Sequence, residues 1–272
     1  MDRNEAVLRE LNLHPLWRRR GEHAPVAAAV EAAHSVSPDS SGKLSRQSEP
    51  SKTEGAVAGG SVMGDENAAA AVAPGGGADK SREQRIGELD WPQLKAMVRD
   101  CTACKLRAGC TQTVFGVGDE TAEWLFVGEG PGADEDAQGE PFVGQAGKLL
   151  DNMLLAIKLR RGKKVYIANI VKCRPPNNRA PEADETAACL PYLQRQIELI
   201  KPKLIVALGK TAATALLGRD APLGSLRGTL HDYRGIPLIV TYHPAYLLRS
   251  PMEKAKAWQD LCFAVRVQHG EA

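Results

Sequence analysis

Between residues 21 and 80 the sequence almost lacks large hydrophobic side chains. Leu44 is the only Leu, Ile, Phe, Trp or Tyr there, against 14 Ala, 9 Gly and 8 Ser. Such a stretch has too little apolar surface to offset about 1–2 kcal/mol of backbone entropy per residue. A disordered linker is therefore expected over residues 21–85, with a folded domain over 86–272. A long apolar run is missing too, which excludes a membrane-spanning helix. The first twenty residues lack the charged-then-apolar order of a secretory signal, so a cytoplasmic protein is expected. Charge of one sign is also absent. Lys plus Arg is 35 and Asp plus Glu is 33, a net of +2 that excludes both a polybasic chain and an acidic solvating tail. Residues 81–272 alone hold 26 basic and 22 acidic side chains, a mildly basic surface compatible with an anionic partner.

The opening segment, MDRNEAVLRELNLHPLWRRR, sets Leu8, Leu11 and Leu13 near a face that Leu16 and Trp17 extend. It reads either as a short amphipathic helix docking a protein partner or as a frayed terminal helix, and Pro15 stops or kinks it. From Ser81 onward the pattern becomes α/β. Trp124–Gly128, Val165–Val171, Lys203–Leu208 and Ile236–Tyr242 are short, β-branched apolar runs bounded by Gly, Pro or charge, as buried parallel strands are. Helix-compatible stretches at Ala146–Leu159, Glu182–Ile200 and Lys210–Leu217 separate them. The alternation predicts a three-layer α/β/α sandwich with a central four-stranded parallel sheet. Function should then sit on the loops leaving the carboxyl ends of the strands: GEGPG from Gly128, the stretch after Val171, Gly209–Thr211 and YHPAYLLR from Tyr242.

Six cysteines occur, in a compartment where structural disulfides are rare. Cys101 and Cys104 form a CxxC, and Cys173 and Cys189 supply a second pair. A four-thiolate metal or cluster site, buried free thiols and a redox pair are the three readings. The CxxC follows a polar helical stretch instead of a buried strand, which weighs against the redox pair. Four thiolates suit tetrahedral zinc or a [4Fe–4S] cluster, and spacing does not separate them. Cys110 and Cys262 read as ordinary thiols without partners.

Several signatures occur in order: CTACKL at Cys101, GEGPGADEDAQGEPFVGQAGKLLD from Gly128 to Asp151, ANIVKCRPPNNRAPE from Ala168, ACLPYL around Cys189, LIVALGKTA and YHPAYLLR. On these the chain resembles the type-4 uracil-DNA glycosylases, the iron–sulfur branch of the uracil-DNA glycosylase superfamily, over roughly residues 94–265. The resemblance implies a DNA-repair hydrolase that flips uracil out of DNA and cuts its N-glycosidic bond, leaving an abasic site. It further implies one [4Fe–4S] cluster held by Cys101, Cys104, Cys173 and Cys189, structural in role. Single- or double-stranded uracil-containing DNA is the expected partner, and a monomer the expected state.

Each demand of that chemistry has a candidate. Asn169 offers an amide donor and acceptor to uracil O4 and N3–H, a pair that cytosine mismatches; by itself it reads equally as an Asn satisfying a strand end. Phe142 would stack on the flipped ring, though alone it reads as core. The resemblance assigns His243 the hydrogen bond to uracil O2, where negative charge develops. Gly128, Glu129 and Gly130 form a turn open to close approach of the base. Glu129 shapes the pocket first and positions water second. Lys172, Arg174, Arg179, Lys210 and Arg249 are candidate phosphate contacts, or a merely solvated basic rim, and Tyr246 or Leu247 is the candidate wedge.

Two rival readings differ in class. A nucleotide-binding module is disfavoured because GEGPG lacks the GxGxxG spacing and Gly209–Thr211 lacks the first glycine of a phosphate loop. For a non-catalytic or covalent uracil-DNA binder the resemblance implies an Arg- and His-bearing insertion after the Asn169 strand, and the stretch from Val171 to Cys189 contains no His, so turnover is expected instead of trapping.

Overall fold

The computed structural model describes residues 80–271. The expected N-terminal helix, and the linker as far as residue 79, lie outside the described residues. The linker boundary at 85 is corrected. The Ser81 hydroxyl accepts the Gln84 N–H at 3.3 Å, and the Gln84 side chain accepts the Ser81 N–H at 2.9 Å. This reciprocal cap opens helix α1 (Arg82–Gly87). Asp90 and Gln93 repeat the device at the head of α2 (Trp91–Arg99).

The chain then runs through β1 (Val117–Gly118), β2 (Trp124–Gly128), α3 (Ala133–Gln138), α4 (Gln145–Ala156), β3 (Val165–Asn169), α5 (Ala183–Ile200), β4 (Leu204–Leu208) and α6 (Lys210–Leu217). It finishes with α7 (Leu223–Leu226), β5 (His231–Tyr233), β6 (Ile236–Thr241), α8 (Pro244–Arg249) and α9 (Lys254–His269). The sheet order is β1-β3-β2-β4-β6-β5. Its inner strands β3, β2, β4 and β6 are parallel, as the apolar runs predict. Two short antiparallel strands, β1 and β5, extend its edges and bring the sheet to six.

Every residue of β2, β3 and β4 is buried, so both faces of the sheet are covered. Alternate side chains enter opposite cores. Leu125, Val127, Ala168 and Ile205 pack with Leu94, Leu193 and Ala213 of α2, α5 and α6. Trp124, Phe126, Ile167 and Val206 pack with Leu150, Leu154 and Leu261 of α4 and α9. Those two cores make the three layers. The chain leaves central β2 for β3 on one side and then crosses to β4 on the other. A crevice is therefore expected at the carboxyl end of β2, where the order reverses. Among the described residues, no helix is long and apolar enough to cross a membrane.

Candidate active site

A cleft of about 380 Å³ opens at that switch point, lined in part by Glu129, Gly130, Phe142, Asn169, His243 and Tyr246. Strand register builds its floor, for Gly128 at the end of β2 is paired with Asn169 at the end of β3. A Cβ on Gly128 would run into Asn169 Oδ1 and the Phe142 ring, so only glycine permits this approach. Asn169 is buried, and its Oδ1 has no hydrogen-bond partner among the described residues. A buried acceptor left without a donor carries a cost of about 1–3 kcal/mol, and a ligand donor would relieve it.

Phe142 is buried in the cleft wall with φ at +57°, and its ring lies 5.5 Å from the His243 ring at 31°. His243 caps α8: Nδ1 accepts the Ala245 N–H at 3.1 Å. Pro244 follows at the first helical position, where its missing N–H costs nothing. With Nδ1 engaged as an acceptor, the neutral imidazole carries its proton on Nε2. Burial, then the nearby Arg249 cation, pushes the His243 pKa down to about 4.

Glu129 Oε2 accepts a hydrogen bond from Thr211 Oγ1 of α6 at 2.5 Å. The sequence places Gly209–Thr211 among the functional loops but gives no sign that Thr211 is the partner of Glu129. The Gly209 N–H donates to Thr241 O at 2.8 Å, tying the head of α6 to the end of β6. No local pattern signals that bond.

Cys101, Cys104, Cys173 and Cys189 line a second, small cavity that is almost wholly apolar. Main-chain donors reach two of the sulfurs: Ala103 N–H to Cys101 at 3.5 Å and Lys172 N–H to Cys189 at 3.2 Å. Burial raises the thiol pKa of Cys104, that of Cys173 and that of Cys189, the last to about 11. A reactive or redox cysteine needs the opposite shift. Among the described residues, no three His, Cys, Asp or Glu side chains gather at one single-ion position. Cys110, expected to stand alone, donates its Sγ–H to Arg107 O at 3.7 Å.

Residues 115–262 match the family described as the uracil DNA glycosylase superfamily. The chain belongs to that superfamily. Proteins named type-4 uracil-DNA glycosylase are similar to it. That of Pyrobaculum aerophilum is 43% identical over 181 residues, covering 64% of this chain and 92% of the relative. That of Thermotoga maritima is 48% identical over 155 residues, with 56% and 80% covered. That of Archaeoglobus fulgidus is 45% identical over 171 residues, with 60% and 85% covered.

In this member of the superfamily the basic residues expected at the rim divide sharply. Arg249 is exposed and lines the cleft. Arg179 also lines it, but its guanidinium is bidentate on Glu185, at 2.7 and 2.8 Å. Arg174 lies outside the lining and donates to Asn178 Oδ1 at 2.7 Å. Lys210 is exposed and paired with Asp220 at 2.8 Å, also outside the lining. Lys172 is corrected outright. It is 1% exposed, and its Nζ donates to Asn169 O at 3.0 Å and Gln196 Oε1 at 2.7 Å. Burial lowers its pKa to about 8. Lys172 therefore braces the backbone of Asn169 from inside the core and reaches no phosphate. Leu247 is corrected too: it is 1% exposed in the core, whereas Tyr246 and Leu248 stand out at 37% and 43%. On α8 the side chains of 246 and 248 leave the face that 247 buries.

Proposed function

We propose that this protein excises uracil from DNA, hydrolysing the N-glycosidic bond and leaving an abasic site. The observation that carries the reading is the buried, donorless Oδ1 of Asn169 in the cleft wall. Uracil extruded from the helix would give its N3–H to that oxygen and accept the Asn169 amide N–H at O4. Cytosine presents an acceptor at N3 and a donor at the 4-position, so it meets both Asn169 groups with the wrong partner. The Phe142 ring supplies the stacking face.

As the C1′–N1 bond breaks, its electron pair leaves with uracil and charge gathers on O2. His243, neutral and protonated at Nε2, donates to that oxygen. Such donation in a water-poor site is worth about 3–4 kcal/mol. The oxocarbenium-like sugar then takes a water at C1′, and the water's surplus proton departs to solvent or to Glu129. One Glu129 oxygen is held by Thr211. That tether suits a wall residue first and a water-positioning group second.

Cys101, Cys104, Cys173 and Cys189 would hold one [4Fe–4S] cluster. Four thiolates lining one small, almost wholly apolar cavity suit such a cluster, and the likeness to type-4 uracil-DNA glycosylases favours it over zinc. When bound it supplies a structural cross-link among the 101–104 loop, the segment after β3 and helix α5. Arg249 would meet a phosphate, with Tyr246 or its exposed neighbour Leu248 entering the gap left by the base. Single- and double-stranded uracil-DNA are both taken as substrates. A monomer is taken as the working state. A cytoplasmic site of action and a protein partner for residues 1–20 complete the reading.

The test is anaerobic purification, a visible spectrum, and reaction with a uracil-containing oligonucleotide. A brown protein that leaves alkali-labile sites is expected from wild type. His243→Ala and Asn169→Ala should each cut slowly while keeping the colour. Full activity in both variants would remove the proposed pocket from the chemistry.

A further inference from the structure

Phe142 holds a φ of +57°, in a region that bulky L-residues avoid, so its neighbours must keep it there. Two groups close on its carbonyl. Gly147 of α4 presents a bare Cα, and a Cβ at that position would overlap the Phe142 carbonyl oxygen. On the same stretch of backbone Arg161 spreads its guanidinium across two successive carbonyls. Nη1 donates to Pro141 O at 2.7 Å and Nη2 to Phe142 O at 2.8 Å. The third edge of the group is braced, for Nε donates to Asp151 Oδ1 on α4 at 3.1 Å. Arg161 itself comes from the turn between α4 and β3 and does not line the cleft.

We propose that Arg161 is a positioning residue for base stacking: its fork on the Pro141 and Phe142 carbonyls holds the Phe142 ring against His243, fixing the plane on which an extruded pyrimidine lies. The inference rests on the proposed function for the identity of the base, but the clamp itself is a property of the free protein. It requires a planar group with donors in fixed directions. A lysine ammonium is a single compact charge and cannot span two carbonyls while also meeting Asp151. Free of that hold, Phe142 would relax to a negative φ and its ring would swing away from His243.

One readout needs no substrate. The imidazole C–H resonances of His243 lie in the ring current of Phe142, so Arg161→Gly should shift them in the NMR spectrum. Added guanidinium ion should move them back, and Arg161→Lys should remain shifted. The second readout is kinetic, on a uracil-containing oligonucleotide. Arg161→Gly should raise KM by about two- to tenfold, the worth of one aromatic stack, and lower kcat less. In a Phe142→Ala background the same change should add nothing, because both act through one ring. His243 resonances that stay in place, or losses that multiply in the double variant, would overturn the assignment. Wild-type protein that released no uracil would refute the proposed function, while the resonance test would still decide the clamp. Should Arg161→Gly fail to fold, Arg161→Gln carries both readouts with one donor group retained.

Discussion

Nδ1 of His243 accepts the backbone N–H of Ala245 across 3.1 Å, and this bond settles which ring nitrogen holds the proton. An imidazolium would have to donate from both nitrogens, so protonation breaks the cap of α8 as well as adding charge. With the pKa pushed down to about 4 by burial and Arg249, the ring stays neutral well below its ordinary value. The kcat/KM profile should thus run flat through pH 6.5 and fall only as pH approaches 4. An acidic limb centred near 6.5 would show that His243 titrates as a free imidazole. Stability follows the same linkage. The unfolded chain takes up this proton near pH 6.5 and the folded chain resists it until about 4, so stability declines as pH falls through that window. His243→Gln should flatten that part of the decline in denaturant titrations at successive pH values.

Asn169 should separate activity from stability. Its Oδ1 makes no hydrogen bond in the free protein, so Asn169→Ala removes no intramolecular bond made by that oxygen and exposes the pocket to water. Activity should fall by about 100-fold, the worth of the paired contacts to uracil. The melting temperature should stay level or rise. A fall in melting temperature matching the loss of activity would mean that Asn169 is a structural strand-end residue instead.

Lys172 and Arg249 make opposite predictions. Arg249→Ala should lower the slope of log Kd against log salt by about one phosphate contact. Lys172→Met should leave that slope unchanged and lower stability, because it leaves Asn169 O and Gln196 Oε1 without their buried donor. Fluorescence anisotropy over a salt series, with a denaturant titration of each variant, reads both effects.

Neighbouring leucines on α8 should differ in kind. Leu247→Ala empties a packed core site and should cost about 2–5 kcal/mol in denaturant titrations. Leu248→Ala touches an exposed side chain and should leave stability within about 0.5 kcal/mol. If Leu248 enters the DNA, that variant should instead excise uracil more slowly from duplex than from single strands.

Much of the frame was legible because its signals are local. WLFVG at Trp124 and KTAATALL at Lys210 carry their apolar period and boundaries within a few residues, and the observed β2 and α6 coincide with the expected spans. The edge strands β1 and β5 escaped because VG and HDY hold no such period and pair only through tertiary register. Ser81 capping α1 was visible as a Ser-x-x-Gln pattern, but the apolar signal beyond it is thin. The cleft residues drew attention through unusual types beside Gly and Pro at strand ends. Lys172 and Leu247 misled because charge suggests solvent and YLLR suggests an exposed tip. Depth below the surface decides both, and a linear pattern does not record it. The roles of Thr211 and Arg161 were missed for the same cause: each acts through a partner about 80 or 20 residues away in the chain.

The most direct measurement is chromatographic: incubate the purified protein with a DNA strand holding one uracil, and follow free uracil alongside the strand. Stoichiometric, then catalytic, release of uracil with an unbroken abasic strand is the predicted result, almost abolished in the His243→Ala, Asn169→Ala double variant. A strand that keeps its uracil, or one that becomes covalently fixed to the protein without turnover, would contradict the account.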